Sequence, residues 1–258
     1  MLLDGRQVEA DDLRALALVN YGHFTSMRVD SGRVRGLGLH MERLSRDCRT
    51  MFGTDVDTEK VRDYVRQLVR HTEGSIVVRV TIFDPALDLG HPGSTAEPHI
   101  LVTSRGAAAQ HLPPISLGTA PYERDLPQVK HIGLLGTIFH RRQAQLHGHD
   151  DVLFTDTLGR ITEGATWNIG FVRGDQIVWP DGHCLPGVTM EIIKELHPSS
   201  TEVVTLDTAK EMTAAFISNA AIGLRLVHSI DGFIWHDADT TLIDRLAKRY
   251  IELQGDSL

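Results

Sequence analysis

The stretch LFTDTLGRITEGATWNIGFV, residues 153–172, decides how this chain is read. Its apolar runs are short. Leu158-Gly159 breaks the first from RITEG, and small residues break RITEG from WNIGFVRG. Gly174-Asp175 then divides that run from QIVWP. Brief strands separated by glycine-containing turns predict an antiparallel meander.

Working outward, a helix is expected from about Leu135 to His147, and upstream of it lies RGAAAQHLPPISLGTAPYERDLPQVK, rich in proline. The change in composition marks 120–128 as an interdomain linker. The region before it predicts a strand at Met1–Leu3, a helix over Ala10–Val19 and a strand HFTSMRVD. A helix through HMERLSRDCRTMF follows, in which Leu39, Arg43, Leu44 and Cys48 recur at helical spacing. A second helix over Thr58–His71 and the strands SIVVRVTIF and PHILVTS complete a small α+β domain, residues 1–119. The larger domain, 129–258, continues past the meander with a helix at Thr189–Leu196. Strands EVVTL, AAFISNA and LRLVHSIDG and an amphipathic helix over Thr240–Leu253 follow. The fold class is α+β in two domains.

Composition narrows the function. With 41% hydrophobic and 23% charged residues among 258, the chain has the make-up of a globular protein rather than a disordered one. A net charge of −8 argues against a nucleic-acid surface, which needs clustered Lys and Arg. No run approaches the roughly 20 apolar residues of a membrane span, and the first residues lack a signal peptide's basic segment. The two cysteines, Cys48 and Cys184, have no ligand spacing and fit a reducing cytoplasm. A small-molecule partner is expected.

Several residues carry candidate chemistry, each beside a plainer reading. Lys130, between apolar neighbours in DLPQVKHIGLL, is either a solvated charge or an amine nucleophile toward an aldehyde. Glu163 is either a turn acid facing water or a buried carboxylate that pairs with a protonated pyridine nitrogen. Gly187-Val188-Thr189 opens a helix whose free N–H groups and hydroxyl suit a phosphate, although a helix N-cap uses the same residue types. Arg43 either forks toward that phosphate or pairs with Asp47 on a helix surface. His147-Gly-His149-Asp-Asp holds metal-type side chains at a turn but lacks further ligands, so no metal is expected.

In order along the chain, FTSMRV, LHMERL, VKHIGLL, LFTDTLGRITEGATWNIGFV, CLPGVT and ISNAAIGLRLV resemble the fold-type-IV pyridoxal 5′-phosphate (PLP) enzymes of the class IV aminotransferase family. These are the branched-chain and D-amino-acid aminotransferases, R-selective amine transaminases and aminodeoxychorismate lyases. The resemblance, which runs from about Phe24 to Val227, implies a Schiff base on Lys130 and Glu163 at the pyridine nitrogen. It also implies a cofactor phosphate held by Arg43 of H-x-x-R-L, Val188, Thr189 and the Asn219-Ala220 turn, and a homodimer in which a partner subunit closes the site. Thr25, Arg79 and Trp167 fall at positions that touch substrate. Leu135 replaces the tyrosine that branched-chain enzymes carry five residues after the lysine, and Asp84 replaces an arginine common to lyases and D-amino-acid enzymes. The activity implied is amino transfer to a 2-oxo acid. Alternatives are β-elimination releasing pyruvate and, in another class, non-catalytic PLP binding.

Overall fold

The computed structural model describes residues 1–236 and 238–258, and they form an α+β fold of two compact units. Unit 1 comprises 1–108, 129–133 and 254–258; unit 2 comprises 109–128 and 134–253. This division differs from the one composition suggests. The stretch 109–128 belongs to unit 2 and contains a strand, while 129–133 belongs to unit 1.

Unit 1 contains β1 (Leu2–Leu3), β2 (Arg6–Gln7), α1 (Arg14–Leu18), β3 (His23–Asp30) and β4 (Arg33–Val34). It continues with α2 (Leu37–Phe52), α3 (Thr58–Val69), β5 (Ser75–Phe83) and β6 (His99–Gly106). The terminal pair Asp256–Ser257 joins its seven-stranded sheet beside β4, and the order continues β3, β5, β6, β1, β2. Alternation sorts β3 into two faces: His23, Thr25, Met27 and Val29 share one, Phe24 and Ser26 the other. Met27 and Val29 enter the core with Val78, Val80 and Ile82 of β5. From α2 that core takes Leu37, Met41, Leu44 and Cys48, while Leu39 stays half-exposed. A second buried stripe on α2 is polar: His40, Arg43 and Asp47, at i, i+3, i+7. Asp57 starts α3 by accepting the N–H groups of Glu59 and Lys60.

Unit 2 contains β7 (Ile115–Pro121), α4 (Leu135–Leu146), β8 (Asp151–Thr155), β9 (Ile161–Gly164), β10 (Asn168–Arg173) and β11 (Gln176–Pro180). Then come α5 (Val188–Leu196), β12 (Ser199–Glu202), α6 (Leu206–Lys210), β13 (Ala214–Asn219), β14 (Gly223–Ile230), β15 (Phe233–Ile234) and α7 (Thr241–Glu252). The sheet order is β12, β11, β10, β13, β14, β7, β8, β9, with β15 against β14. The expected meander exists only as two separate hairpins, β8–β9 and β10–β11, because β10 pairs with β13 instead of β9. Seven of these strands send side chains into one cluster that includes Leu117, Leu153, Ile161, Trp167, Ile169, Val178, Ile217 and Val227, so the sheet curls around a shared core, while Val152 and Phe154 of β8 pack separately with Ala144 of α4.

Candidate active site

In unit 1 the backbone of Lys130 is fixed from three directions. Its carbonyl accepts the Phe24 N–H at 2.8 Å, Ile132 N–H reaches the Gly22 carbonyl at 2.9 Å, and its own N–H donates to Asp47 Oδ2 at 2.9 Å. Gly22 is needed for this seat, since a Cβ there would stand 2.6 Å from the Ile82 carbonyl oxygen. Asp47 is fully buried and bridges to Arg46 at 2.7 Å, so it anchors the lysine segment rather than pairing with Arg43. The Lys130 Nζ lies 4.9 Å from the centroid of the Phe24 ring. The Arg79 guanidinium lies 3.6 Å from the same centroid, and its Nε donates to Thr81 at 3.2 Å. Lysine and arginine therefore share one aromatic support. Burial lowers the Arg79 pKa from its usual range.

Thr25 of β3 meets His40 and Arg43 of α2, all three buried. Arg43 Nη2 donates to Thr25 Oγ1 and also approaches His40 Nδ1 at 3.2 Å, and the Thr25 hydroxyl lies 2.7 Å from that same nitrogen. A guanidinium only donates, so Nδ1 is the acceptor and the ring proton sits on Nε2. Burial, then the charges of Arg43 and Lys130, push His40 well below the usual histidine range. Burial also draws Arg43 down to about 10. The Arg43 Nε and His40 Nε2 are buried donors without an acceptor among the described residues. Such a cost is ordinarily removed by an anion.

In unit 2, Glu163 is 6% exposed and does not face water. Arg124 donates to its Oε1 through Nε at 2.9 Å and Nη2 at 2.7 Å, and Leu185 N–H donates to Oε2 at 3.1 Å. An arginine and an amide so placed hold the carboxylate in one orientation. The Leu185 carbonyl accepts from Asn168 Nδ2 at 2.8 Å, so β9 and β10 together hold the loop that leads into α5. Gly187 is forced there, because a Cβ would stand 2.1 Å from Asn168 Oδ1. The N-cap of α5 is Gly187, which makes no side-chain cap, and first-turn N–H groups of such a helix suit an anion. Thr189, fully buried, bonds Tyr250 of α7 at 3.1 Å.

The remaining expected residues are placed as follows. Asn219 Oδ1 accepts the N–H groups of Ala221 and Ile222, closing the β13–β14 turn around Ala220, and its Nδ2 reaches the Thr166 carbonyl. Trp167 is buried in the unit 2 core, with its indole N–H on Asp151 at 2.8 Å, the carboxylate that Arg141 also grips. Leu135 is 84% exposed at the start of α4. Among the described residues, no group of three or more His, Cys, Asp or Glu could hold a metal ion. The sequence reading did not single out Arg124, Asn168 or Tyr250. Asn168 carried a signal, a polar residue inside an apolar strand; Arg124 carried none, since its partner is 39 residues away.

Comparison with known proteins sets these residues in context. The family model for amino-transferase class IV matches residues 22–230. A probable branched-chain-amino-acid aminotransferase of Rickettsia felis is 31% identical over 122 residues, covering 44% of this chain and 42% of that protein. The chain thus matches less than half the length of that relative. The crystal structure of a branched-chain aminotransferase from Thermoproteus uzoniensis with norvaline superposes with a TM-score of 0.85 at 20% identity, over 97% of this chain and 92% of the other. That of a putative 4-amino-4-deoxychorismate lyase from Legionella pneumophila gives 0.79 at 22% identity, covering 95% of each chain. The family match spans every residue just described except Tyr250, and on that match the chain belongs to the amino-transferase class IV family.

Proposed function

We propose that the chain is a PLP-dependent aminotransferase that moves an amino group between an amino acid or amine and a 2-oxo acid, with Lys130 as its catalytic residue. The observation that carries this reading is Glu163. It is a buried carboxylate held by Arg124 and tied through Leu185 to the start of α5, an investment that a plain phosphate binder does not need. The residues fit the cofactor. Lys130 would hold its aldehyde and Glu163 its ring nitrogen. The unmet donor of Arg43, the Val188 and Thr189 end of α5 and the Asn219-Ala220 turn would take its phosphate. When bound, PLP supplies an electron sink that makes the proton beside the substrate nitrogen removable.

The chain's own groups do the rest. The Lys130 amine takes and returns that proton. Arg79, desolvated and braced on Phe24, binds a substrate carboxylate. Thr25 orients Arg43, and Trp167 stiffens the strand beside the substrate. A homodimer is part of the proposal, since α4 exposes Leu135, Ile138, Phe139 and Leu146, apolar residues that cluster on one side of the helix. So is a cytoplasmic location, where the free cysteines Cys48 and Cys184 stay reduced. No helix among the described residues is long and apolar enough to cross a membrane.

The test is to add PLP, reduce with borohydride, and map the adduct by mass spectrometry. Label on Lys130 is expected, and a protein that takes no label sinks the proposal. A panel of L- and D-amino acids, amines and aminodeoxychorismate then separates outcomes. Pyridoxamine phosphate accumulation marks a transaminase. Pyruvate release without it marks the second reading, a lyase, which the F-T-S-x-R-V strand and the Legionella similarity favour.

A further inference from the structure

Tyr250 lies outside the family match, near the end of the last helix, yet it touches both segments proposed to hold the cofactor phosphate. Its hydroxyl is 3.1 Å from Thr189 Oγ1 in the first turn of α5. Its ring packs against Gly223, where an added Cβ would stand 3.3 Å away. Gly223, at φ +73°, pairs with Asn219 across the β13–β14 turn. The neighbouring Arg249 bonds the Leu196 carbonyl at the other end of α5 at 2.8 Å, so one turn of α7 grips α5 at both ends. Leu242, Ile243 and Leu246 bury with Tyr250 and hold α7 against the unit.

A second observation points to a ligand at this place. Ser218 of β13 is fully buried, and its hydroxyl has no partner among the described residues. Ser218 pairs directly with Asn168, so their side chains share a face of the sheet, and Asn168 Oδ1 abuts Gly187 at the N-cap of α5. An unmet hydroxyl, an uncapped helix start and the Thr189 hydroxyl thus converge on one end of α5.

Resting on the PLP reading, we infer that Tyr250 is a positioning residue for the phosphate end of the cofactor. When the phenol donates to Thr189 Oγ1, the threonine's own hydrogen is turned outward, available to a phosphate oxygen. The ring meanwhile sets the distance between the 219–223 turn and the α5 start.

The experiment titrates apoprotein with PLP and, in parallel, with pyridoxal, which lacks the phosphate. For Tyr250→Phe, PLP affinity is expected to fall about fivefold, the value of one neutral hydrogen bond, while pyridoxal affinity stays unchanged. The 31P resonance of bound PLP should move as it does in Thr189→Ala, and the double variant should bind no worse than Thr189→Ala alone. Thr189→Ser should retain near wild-type affinity. Unchanged PLP affinity in Tyr250→Phe overturns the inference, as does an equal loss for pyridoxal or an additive double variant. Circular dichroism of the apo variants checks the fold. Wild-type protein that takes up no PLP overturns the cofactor reading together with this inference; wild-type uptake with an indifferent Tyr250→Phe overturns this inference alone.

Discussion

A guanidinium that is 6% exposed, with its Nε unmatched among the described residues, is costly for a protein to keep. Burial draws the Arg43 pKa down to about 10, a penalty on the order of 3 kcal/mol on the charged form. An anion bound there would offset it. Arg43→Met should therefore raise the melting temperature of the apoprotein and abolish the stabilisation that PLP gives the wild type. Scanning calorimetry with and without PLP reads both effects, and a variant still stabilised by PLP contradicts the assignment. Arg43 was legible in the sequence through H-x-x-R-L, but its surroundings were not. The spacing Arg43 to Asp47 suggested a pair, whereas the carboxylate turns to Arg46 and to the Lys130 N–H. Helical spacing says which side chains are neighbours; which of two arginines wins the acid depends on the strand and loop packed above them.

Elements show the same division between local and distant causes. Helices α2, α3, α5 and α7 were readable because their apolar stripes and termini are local signals. Strand β7 was not, since Pro113, Pro114 and Pro121 bracket it and mimic a linker, while its parallel partners β8 and β14 come later in the chain. The β10–β13 pairing likewise joins segments some 45 residues apart, beyond what turn chemistry encodes. The loop before α5 is the element on which the site depends most. With Asn168 locked to the Leu185 carbonyl, its Oδ1 cannot retreat from a side chain at position 187. Gly187→Ala should displace the start of α5 and weaken PLP binding about tenfold or more, with unit 1 unaffected. Equilibrium titration measures the loss, and wild-type affinity would show that the loop yields.

At the scale of the whole molecule, the two units should differ in their response to acid, because the two histidines whose pKa burial lowers, His23 and His40, lie in unit 1. Burial, then Arg43 and Arg46, lowers His23 to about 3, and burial, then Arg43 and Lys130, holds His40 well below the usual histidine range. Both side chains remain neutral in the fold but take up a proton near pH 6.5 once unfolded. The unfolded state then binds more protons than the native state, so stability is complete above about pH 6.5 and is lost as pH falls toward 3. His23 contributes a slope of about 1.4 kcal/mol per pH unit within that window, and His40 adds to it with the same sign. The lowered carboxylates of unit 2, Asp150, Asp156, Glu202, Asp207 and Asp239, begin to matter only near pH 4, where protonation removes the stability they contribute. Hydrogen exchange followed from pH 7 to 4.5, corrected for the intrinsic pH dependence of exchange, should therefore show protection falling in β3, α2 and β5 while β10 and β13 hold. His23→Leu removes one of the two titrations and should make the slope in unit 1 shallower. A slope unchanged by that substitution, or a loss shared equally by both units, would mean that the acid sensitivity originates elsewhere.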